Sequence, residues 1–169
     1  SPYFFDHYNI LTVEQNIATP VASGVIQVPV LILLYPRSSI IVLMHLEEQR
    51  VLKNLHLERP IAFIDIETTG LSPYSDRIVE LSILKIHPDG SEEYKSHRIN
   101  PGIPIPTSAT AIHGITDADV EREPKFRQYA RNIRDFLEDC DISGFNVIRF
   151  DLPCLETEFA RANVDFSRQ

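Results

Sequence analysis

Two carboxylates one residue apart stand at the end of an apolar run, in the segment Phe63-Ile64-Asp65-Ile66-Glu67. In a strand the side chains alternate between faces, so Asp65 and Glu67 would emerge on one face, about 6–7 Å apart. Two buried carboxylates stay charged together only when their charge is compensated, and a hard divalent cation does this with oxygen ligands. The alternative is that both side chains are solvated at the strand end.

A third carboxylate, Asp151, ends the segment GFNVIRFD (residues 144–151) and precedes a predicted helix. The alternative interpretation of Asp151 is a helix N-cap, with Pro153 in the first turn. A cap accounts for Asp151 alone. It does not account for the order in which a strand-borne Asp-x-Glu, a segment with His113-Gly114 and GFNVIRFD follow one another.

The hydrophobic pattern predicts the elements that must position these residues. Three strands are expected at residues 61–66, 76–87 and 91–99, and they form an antiparallel meander. Pro88-Asp89-Gly90 predicts a turn and residues 100–106 a proline-stiffened loop.

Helices and one more strand are predicted after this loop, which indicates an α/β or α+β domain. They are a short helix capped by Thr107 or Ser108 and ending at His113-Gly114, a helix over residues 117–121 capped by Thr116, a helix over residues 125–140 with its apolar stripe in the core, a strand over residues 141–147 and a helix from about residue 152.

Three segments in this order resemble the DEDD-type 3′-to-5′ exonucleases, in particular the proofreading epsilon subunit of bacterial DNA polymerase III and its relatives. They are FIDIETTGL, INPGIPIPTSATAIHGIT and GFNVIRFDLPCLETEF, within residues 60–169. The resemblance implies an α/β, ribonuclease H-like fold, two divalent cations (Mg²⁺ or Mn²⁺) and hydrolysis at the 3′ end of single-stranded DNA, in proofreading or repair. It also implies a DNA polymerase subunit as a partner, and RNA stays open as a substrate.

By the same resemblance, the catalytic and metal-binding residues are Asp65, Glu67 and Asp151. Asp65 would bridge both cations, and Glu67 would bind one of them near the terminal 3′ oxygen. Asp151 would join the metal site, partly through water.

The substrate-binding residues implied by the resemblance are Thr68, Thr69, Gly70, Leu71, His113 and Asn146. Backbone around the two threonines would meet the terminal nucleotide, and the leucine would pack against its base. His113 and Asn146 are candidates for substrate contact or loop anchoring. For His113 the alternative is a structural histidine at the end of a helix.

One motif of the family is missing. The family has a His followed five residues later by an Asp, which supply the general base and a further metal ligand, and no histidine here has Asp at that spacing. We interpret the chain as truncated before that motif, incomplete at the C-terminus of the fold, and expect the parent protein to be active and this chain severely impaired. Two other classes stay open: a non-catalytic module that binds nucleic acid or a polymerase, and, from Asp65 with Thr69 four residues on, a haloacid dehalogenase-like phosphatase.

Composition limits the class of protein. The 169 residues are 43% hydrophobic and 24% charged, as in an ordinary globular domain. A net charge of −8 argues against sequence-blind binding of nucleic acid through a basic face, so base stacking would supply single-strand affinity. Phe145 and Phe150 could stack on bases, but we expect both in the core. Cys140 and Cys154 form no CxxC pair, which favours the cytoplasm.

Residues 1–59 form a leader that carries no recognisable chemistry. Pro29 and Pro36-Arg37 interrupt its apolar part, so a membrane span is not expected. The only methionine is Met44, and we interpret residues 1–43 as upstream read-through before a natural start near Met44. The predicted organisation is therefore a leader, residues 1–59, and a partial exonuclease domain, residues 60–169.

Overall fold

The computed structural model describes residues 57–166. Residues 1–56 lie outside this range. The predicted start near Met44 and nearly all of the predicted leader therefore lie outside the described residues. Among the helices of the described part, none has the length and hydrophobicity needed to cross a bilayer.

A four-stranded mixed sheet forms the centre of the fold. Its strands are β1 (Ile61–Thr68), β2 (Ile78–Ile86), β3 (Glu92–Arg98) and β4 (Asp141–Ser143), in the order β3-β2-β1-β4. The first three strands pair antiparallel, which confirms the predicted meander, and β4 pairs parallel to β1. Strand β1 runs two residues further than predicted, so that Asp65 and Glu67 both lie within it.

Strand β1 separates two apolar layers. Its even-numbered residues Ala62, Ile64 and Ile66 pack in the main core with the helices. Its odd-numbered residues Ile61 and Phe63 pack on the other face, against Leu84 and Ile86 of β2. Because side chains alternate along a strand, the odd-numbered Asp65 and Glu67 continue this second face toward the end of β1.

Residues 57–166 contain four helices, which pack against the sheet or one another: α1 (Thr107–His113), α2 (Asp117–Val120), α3 (Phe126–Leu137) and α4 (Asp151–Arg161). The predicted apolar stripe of α3 is buried, and residues of α4 join it in the same core. A smaller cluster packs α1 and α2 against Val79 of β2.

Helix capping agrees with the sequence at one helix and not at another. The Asp119 side chain accepts a hydrogen bond from the Thr116 N–H at 2.8 Å, so Thr116 caps α2 as predicted. At α1 the predicted cap is wrong: Pro106 occupies the N-cap, and Thr107 is already the first helical residue. Gly114 ends α1 with a φ of 72°, a left-handed conformation that glycine adopts without strain.

The strand predicted over residues 141–147 is wrong beyond its first three residues. At Gly144 the backbone passes so close to β1 that a Cβ there would lie 2.5 Å from the Ile64 carbonyl oxygen. Turns then occupy residues 145–150. Phe145 is 52% exposed, which overturns its predicted place in the core, whereas Phe150 packs against the core as expected.

Candidate active site

Two rows of polar side chains cross the sheet on the face that carries Asp65 and Glu67. Cross-strand pairing sets Asp65 opposite Ser82 and Glu67 opposite Glu80, next to the bulge that ends the pairing of β1 with β2. On β3, Arg98 pairs with Glu80 and forms a salt bridge with it. The antiparallel register therefore adds a fourth carboxylate and one cationic side chain to this end of the sheet.

The charges of these acids are only partly compensated. Burial, followed by the charge of Glu80, raises the pKa of Asp65. Burial, Asp65 and Glu80 raise the pKa of Glu67 to about 7, and the Arg98 guanidinium opposes them. Arg98 thus offsets part of the charge of Glu67 and Glu80.

Asp151 reaches the same group from the start of α4. It is only 6% exposed, and it is the first residue of the helix, while Phe150 holds the N-cap position. Burial and the charge of Asp65 raise the pKa of Asp151 to about 7, hydrogen bonds from the backbone of Asp151 and Ile66 oppose the rise, and Glu67 adds to it. Capping therefore does not explain Asp151, whose carboxylate lies in the field of both acids of β1.

The donor chemistry of this group fits a hard divalent cation. Asp65, Glu67 and Asp151 offer only carboxylate oxygens, and burial raises the pKa of each, a cost that a bound cation would offset. Within residues 57–166, no group of three or more His, Cys, Asp or Glu side chains is arranged to hold a metal ion.

The β1–β2 loop, residues 69–77, begins directly after the acidic strand. Thr68 and Thr69 are buried, and Leu71 is 86% exposed. Asp76 organises the loop: its carboxylate accepts hydrogen bonds from Thr69 Oγ1 at 3.0 Å and from the Ser72 N–H at 2.8 Å. The loop thus presents two large side chains to solvent, Leu71 and Tyr74, and Leu71 is the nearer of them in the chain to the carboxylates of β1.

Gly70 lies against the carboxylate of Asp76. A Cβ at residue 70 would lie 2.6 Å from Asp76 Oδ2. Since that carboxylate is itself held by hydrogen bonds, a side chain at residue 70 would disturb the loop.

His113 joins the end of α1 to the end of β1. Its Nδ1 accepts a hydrogen bond from the Ile115 N–H at 3.0 Å, so its Nε2 carries the proton and donates to the Thr68 carbonyl oxygen at 3.2 Å. Burial lowers the pKa of His113. With both ring nitrogens engaged, this histidine anchors the backbone beside Glu67. Its contact with substrate stays a prediction.

Asn146 lies in the turn before α4, and its side chain is exposed. Its φ is 51°, and its carbonyl oxygen accepts hydrogen bonds from the N–H groups of Arg149 and Phe150 at 2.9 and 3.1 Å. Asparagine tolerates this left-handed conformation better than most residues. Its position is therefore suited to anchoring the turn that leads to Asp151, and its contact with substrate stays a prediction.

Glu80 and Arg98 are not found by sequence reasoning. Alternation along β2 places Glu80 and Ser82 on one face, but no local pattern states which residue of β1 each will oppose. Only the pairing register brings Glu80 opposite Glu67.

Comparison with known proteins identifies the family and the fold. A family model described as exonuclease (RNase_T) matches residues 62–168, more than half of the chain. This match confirms the resemblance to exonucleases that the three motifs predict, and it argues against the phosphatase alternative.

Two curated proteins illustrate the similarity in sequence. The chain is 37% identical over 100 residues to a DNA polymerase III PolC-type from Mycoplasma genitalium, which covers 59% of this chain and 7% of that protein. It is 38% identical over 95 residues to a DNA polymerase III subunit epsilon-like protein from Rhodobacter capsulatus, covering 54% of this chain and 13% of that protein. The chain thus spans a small part of the length of either relative.

Solved structures of exonuclease I share the fold. The ExoI/SSB-Ct complex matches with a TM-score of 0.59 and 22% identity, over 64% of this chain and 25% of that chain. E. coli exonuclease I in complex with a dT13 oligonucleotide matches with a TM-score of 0.58 and 23% identity, over 64% of this chain and 25% of that chain. The predicted α/β, ribonuclease H-like fold is confirmed.

Proposed function

The chain belongs to the exonuclease family, and from that premise we propose that residues 60–169 act as a divalent-cation-dependent 3′-to-5′ exonuclease domain on single-stranded DNA. The observation that carries the proposal is that three carboxylates, the half-buried Asp65 and Glu67 near the end of β1 and the buried Asp151 at the start of α4, lie in one another's electrostatic field. So much buried negative charge is costly unless cations bind there.

The roles of the residues follow from their positions. Asp65, Glu67 and Asp151 would hold the two cations, Mg²⁺ or Mn²⁺. Such paired cations, when bound, generate hydroxide near neutral pH and stabilise the attacking and leaving oxygens of a phosphodiester. The chain's own acids thus set where the scissile phosphate is held.

The terminal nucleotide would lie on the β1–β2 loop. The backbone at Thr68 and Thr69 would contact it, Gly70 would permit its close approach, and Leu71 would pack against its base. With 86% of its surface exposed beside the acidic end of β1, the Leu71 side chain is accessible to a base.

DNA is favoured as substrate, with a polymerase as partner. The relatives are named as DNA polymerase III proteins, and one structural neighbour is complexed with a dT13 oligonucleotide. A net charge of −8 leaves stacking as the main source of single-strand affinity. A DNA-processing role and two free cysteines also favour the cytoplasm.

The 169-residue chain by itself should hydrolyse DNA slowly. No histidine in it is followed five residues later by Asp, and loss of a general base costs about 10²–10⁴ in rate. The second candidate function is a non-catalytic module that binds single strands or a polymerase.

A single-stranded DNA oligonucleotide labelled at its 5′ end, incubated with the chain and Mn²⁺, separates these functions. The exonuclease would shorten the labelled strand from its 3′ end, slowly but in proportion to enzyme, and a 3′-terminal phosphorothioate would retard the reaction. Asp65→Ala should abolish shortening, whereas Glu156→Gln, an exposed position on α4, should retain it.

Other results would contradict the exonuclease. Shortening that persists in EDTA or in the Asp65→Ala variant would do so. Binding of the strand that needs no metal and leads to no hydrolysis would instead support the non-catalytic module.

A further inference from the structure

Glu158 is a buried acidic residue that the proposed reaction does not use. It lies in α4 and is only 3% exposed. The Arg77 guanidinium contacts both of its oxygens, with Nε to Oε1 at 2.5 Å and Nη2 to Oε2 at 3.2 Å. Arg161 Nη1 donates to Oε1 at 2.9 Å. Two arginines therefore compensate one buried carboxylate.

Both arginines also contact the β1–β2 loop, so they connect the Glu158 carboxylate to it. Arg77 is the last residue of the loop, and its backbone N–H and carbonyl oxygen pair with Thr69 Oγ1 and the Thr69 N–H, at 3.0 and 2.9 Å. Arg161 donates to the carbonyl oxygens of Asp76 and Tyr74, at 2.9 and 2.7 Å. Together with the hydrogen bonds that the Asp76 carboxylate accepts, these contacts join the two ends of the loop and connect its middle to α4.

The same helix face carries Asp151 and Glu158. Seven residues are close to two helical turns, so the two side chains point in nearly the same direction, separated by roughly 10 Å along the axis. Asp151 lies in the field of the acids of β1, and Glu158 holds the loop that follows β1. A rigid helix thereby sets the separation between the carboxylates and the loop that presents Leu71.

We propose that Glu158 is a positioning residue: through Arg77 and Arg161 it holds the β1–β2 loop so that Leu71 meets the terminal base beside the carboxylates. The inference rests on the proposed function, because it assigns the loop to substrate binding. Glu158 itself touches neither the substrate nor the cations.

The Glu158→Gln variant tests the role. Glutamine keeps the shape of the side chain but removes the charge that Arg77 and Arg161 bind. With Mn²⁺ present and at a temperature where the variant is folded, the dissociation constant for a dT oligonucleotide should rise by up to about fivefold, the loss expected when the leucine contact itself is removed. The affinity for Mn²⁺ alone should change by less than about twofold, because the carboxylates are a separate site. Glu156→Gln, on the exposed face of the same helix, is the matched control.

A double-mutant cycle with Leu71→Ala separates positioning from general stability. If Glu158 acts through the loop, Glu158→Gln should add less than about twofold to the dissociation constant once the leucine is absent. An equal effect in both backgrounds, or no effect in either, would overturn the inference.

Amide hydrogen exchange keeps the inference testable when DNA binding is not observed. Glu158→Gln should accelerate exchange within residues 69–77 and leave β3 unchanged. Should that variant not fold, Arg161→Gln removes the two bonds to the loop carbonyls and the bond to Glu158 but keeps the Arg77 pair, and the same local acceleration is expected. A wild-type chain that binds no single strand would contradict the proposed function, whereas unchanged exchange in the loop would contradict the positioning role.

Discussion

Replacing Asp151 by Asn should stabilise the cation-free protein at pH 8, although it removes a residue of the proposed active site. The carboxylate is buried within reach of the charges of Asp65 and Glu67, and its pKa rises from the ordinary 3.8 to about 7. Folding at pH 8 therefore places an ionised group where the neutral form is favoured. An amide of the same shape avoids this cost.

The size of the effect follows from the pKa. A rise from 3.8 to about 7 corresponds to an upper bound of about 4 kcal/mol. The pKa already includes the backbone hydrogen bonds that favour the carboxylate, and relaxation of the surrounding structure lowers the cost of the buried charge further. The net gain in the free energy of unfolding at pH 8 should be about 2 kcal/mol.

The effect has a definite dependence on pH. Because the folded pKa of Asp151 is raised, the folded wild-type protein binds the proton more tightly than the unfolded chain does. The contribution of Asp151 to the free energy of unfolding is fully present below pH 3.8 and is lost as pH rises through about 7. The advantage of Asp151→Asn should therefore be absent near pH 4 and full at pH 8.

Urea denaturation in EDTA, at pH 4 and at pH 8, measures this difference. Glu156→Gln makes the same chemical change at an exposed position of α4 and should alter stability by less than about 0.5 kcal/mol. A variant that is less stable than the wild type at pH 8, or equally stabilised at both pH values, would refute the reasoning.

Adding a divalent cation should reverse the order at pH 8. A cation at a hundred times its dissociation constant stabilises the folded state by about 2.7 kcal/mol. Mn²⁺ should therefore raise the melting temperature of the wild type and have a much smaller effect on Asp151→Asn. An equal rise in both proteins would show that Asp151 is not a ligand.

Three further substitutions test other parts of the site. Leu71→Ala should leave the free energy of unfolding within about 0.5 kcal/mol, but weaken single-strand binding by about 1 kcal/mol in fluorescence anisotropy; unchanged affinity would contradict its role. Gly144→Ala sets a Cβ 2.5 Å from the Ile64 carbonyl oxygen and should cost about 2 kcal/mol or more in thermal denaturation; an unchanged melting temperature would show that the backbone gives way. His113→Ala loses the bond to the Thr68 carbonyl oxygen and should cost about 1 kcal/mol in urea denaturation at pH 8. Because the folded pKa of His113 is lowered, its stabilisation is present above pH 6.5 and lost as pH falls, so the difference should narrow at acid pH.

Local patterns in the sequence determined much of the secondary structure. Alternation in β1 placed Asp65 and Glu67 on one face, and the helical spacing of apolar residues located the buried stripe of α3. Both follow from the periods of strands and helices, which are properties of a short segment. The order of three motifs was also enough to identify the family that the match over residues 62–168 confirms.

The tertiary structure decided which distant residues meet. The bulge and register of β1 with β2 brought Glu80 opposite Glu67, and a one-residue slip would have sent Glu80 to the other face. The close approach of Gly144 to β1 ended β4 early and left Phe145 exposed. Arg77 and Glu158 are 81 residues apart in the chain, and nothing local pairs them. Residue type and spacing thus determine which side chains are available for chemistry, whereas strand register and helix packing determine the charges and contacts that surround them.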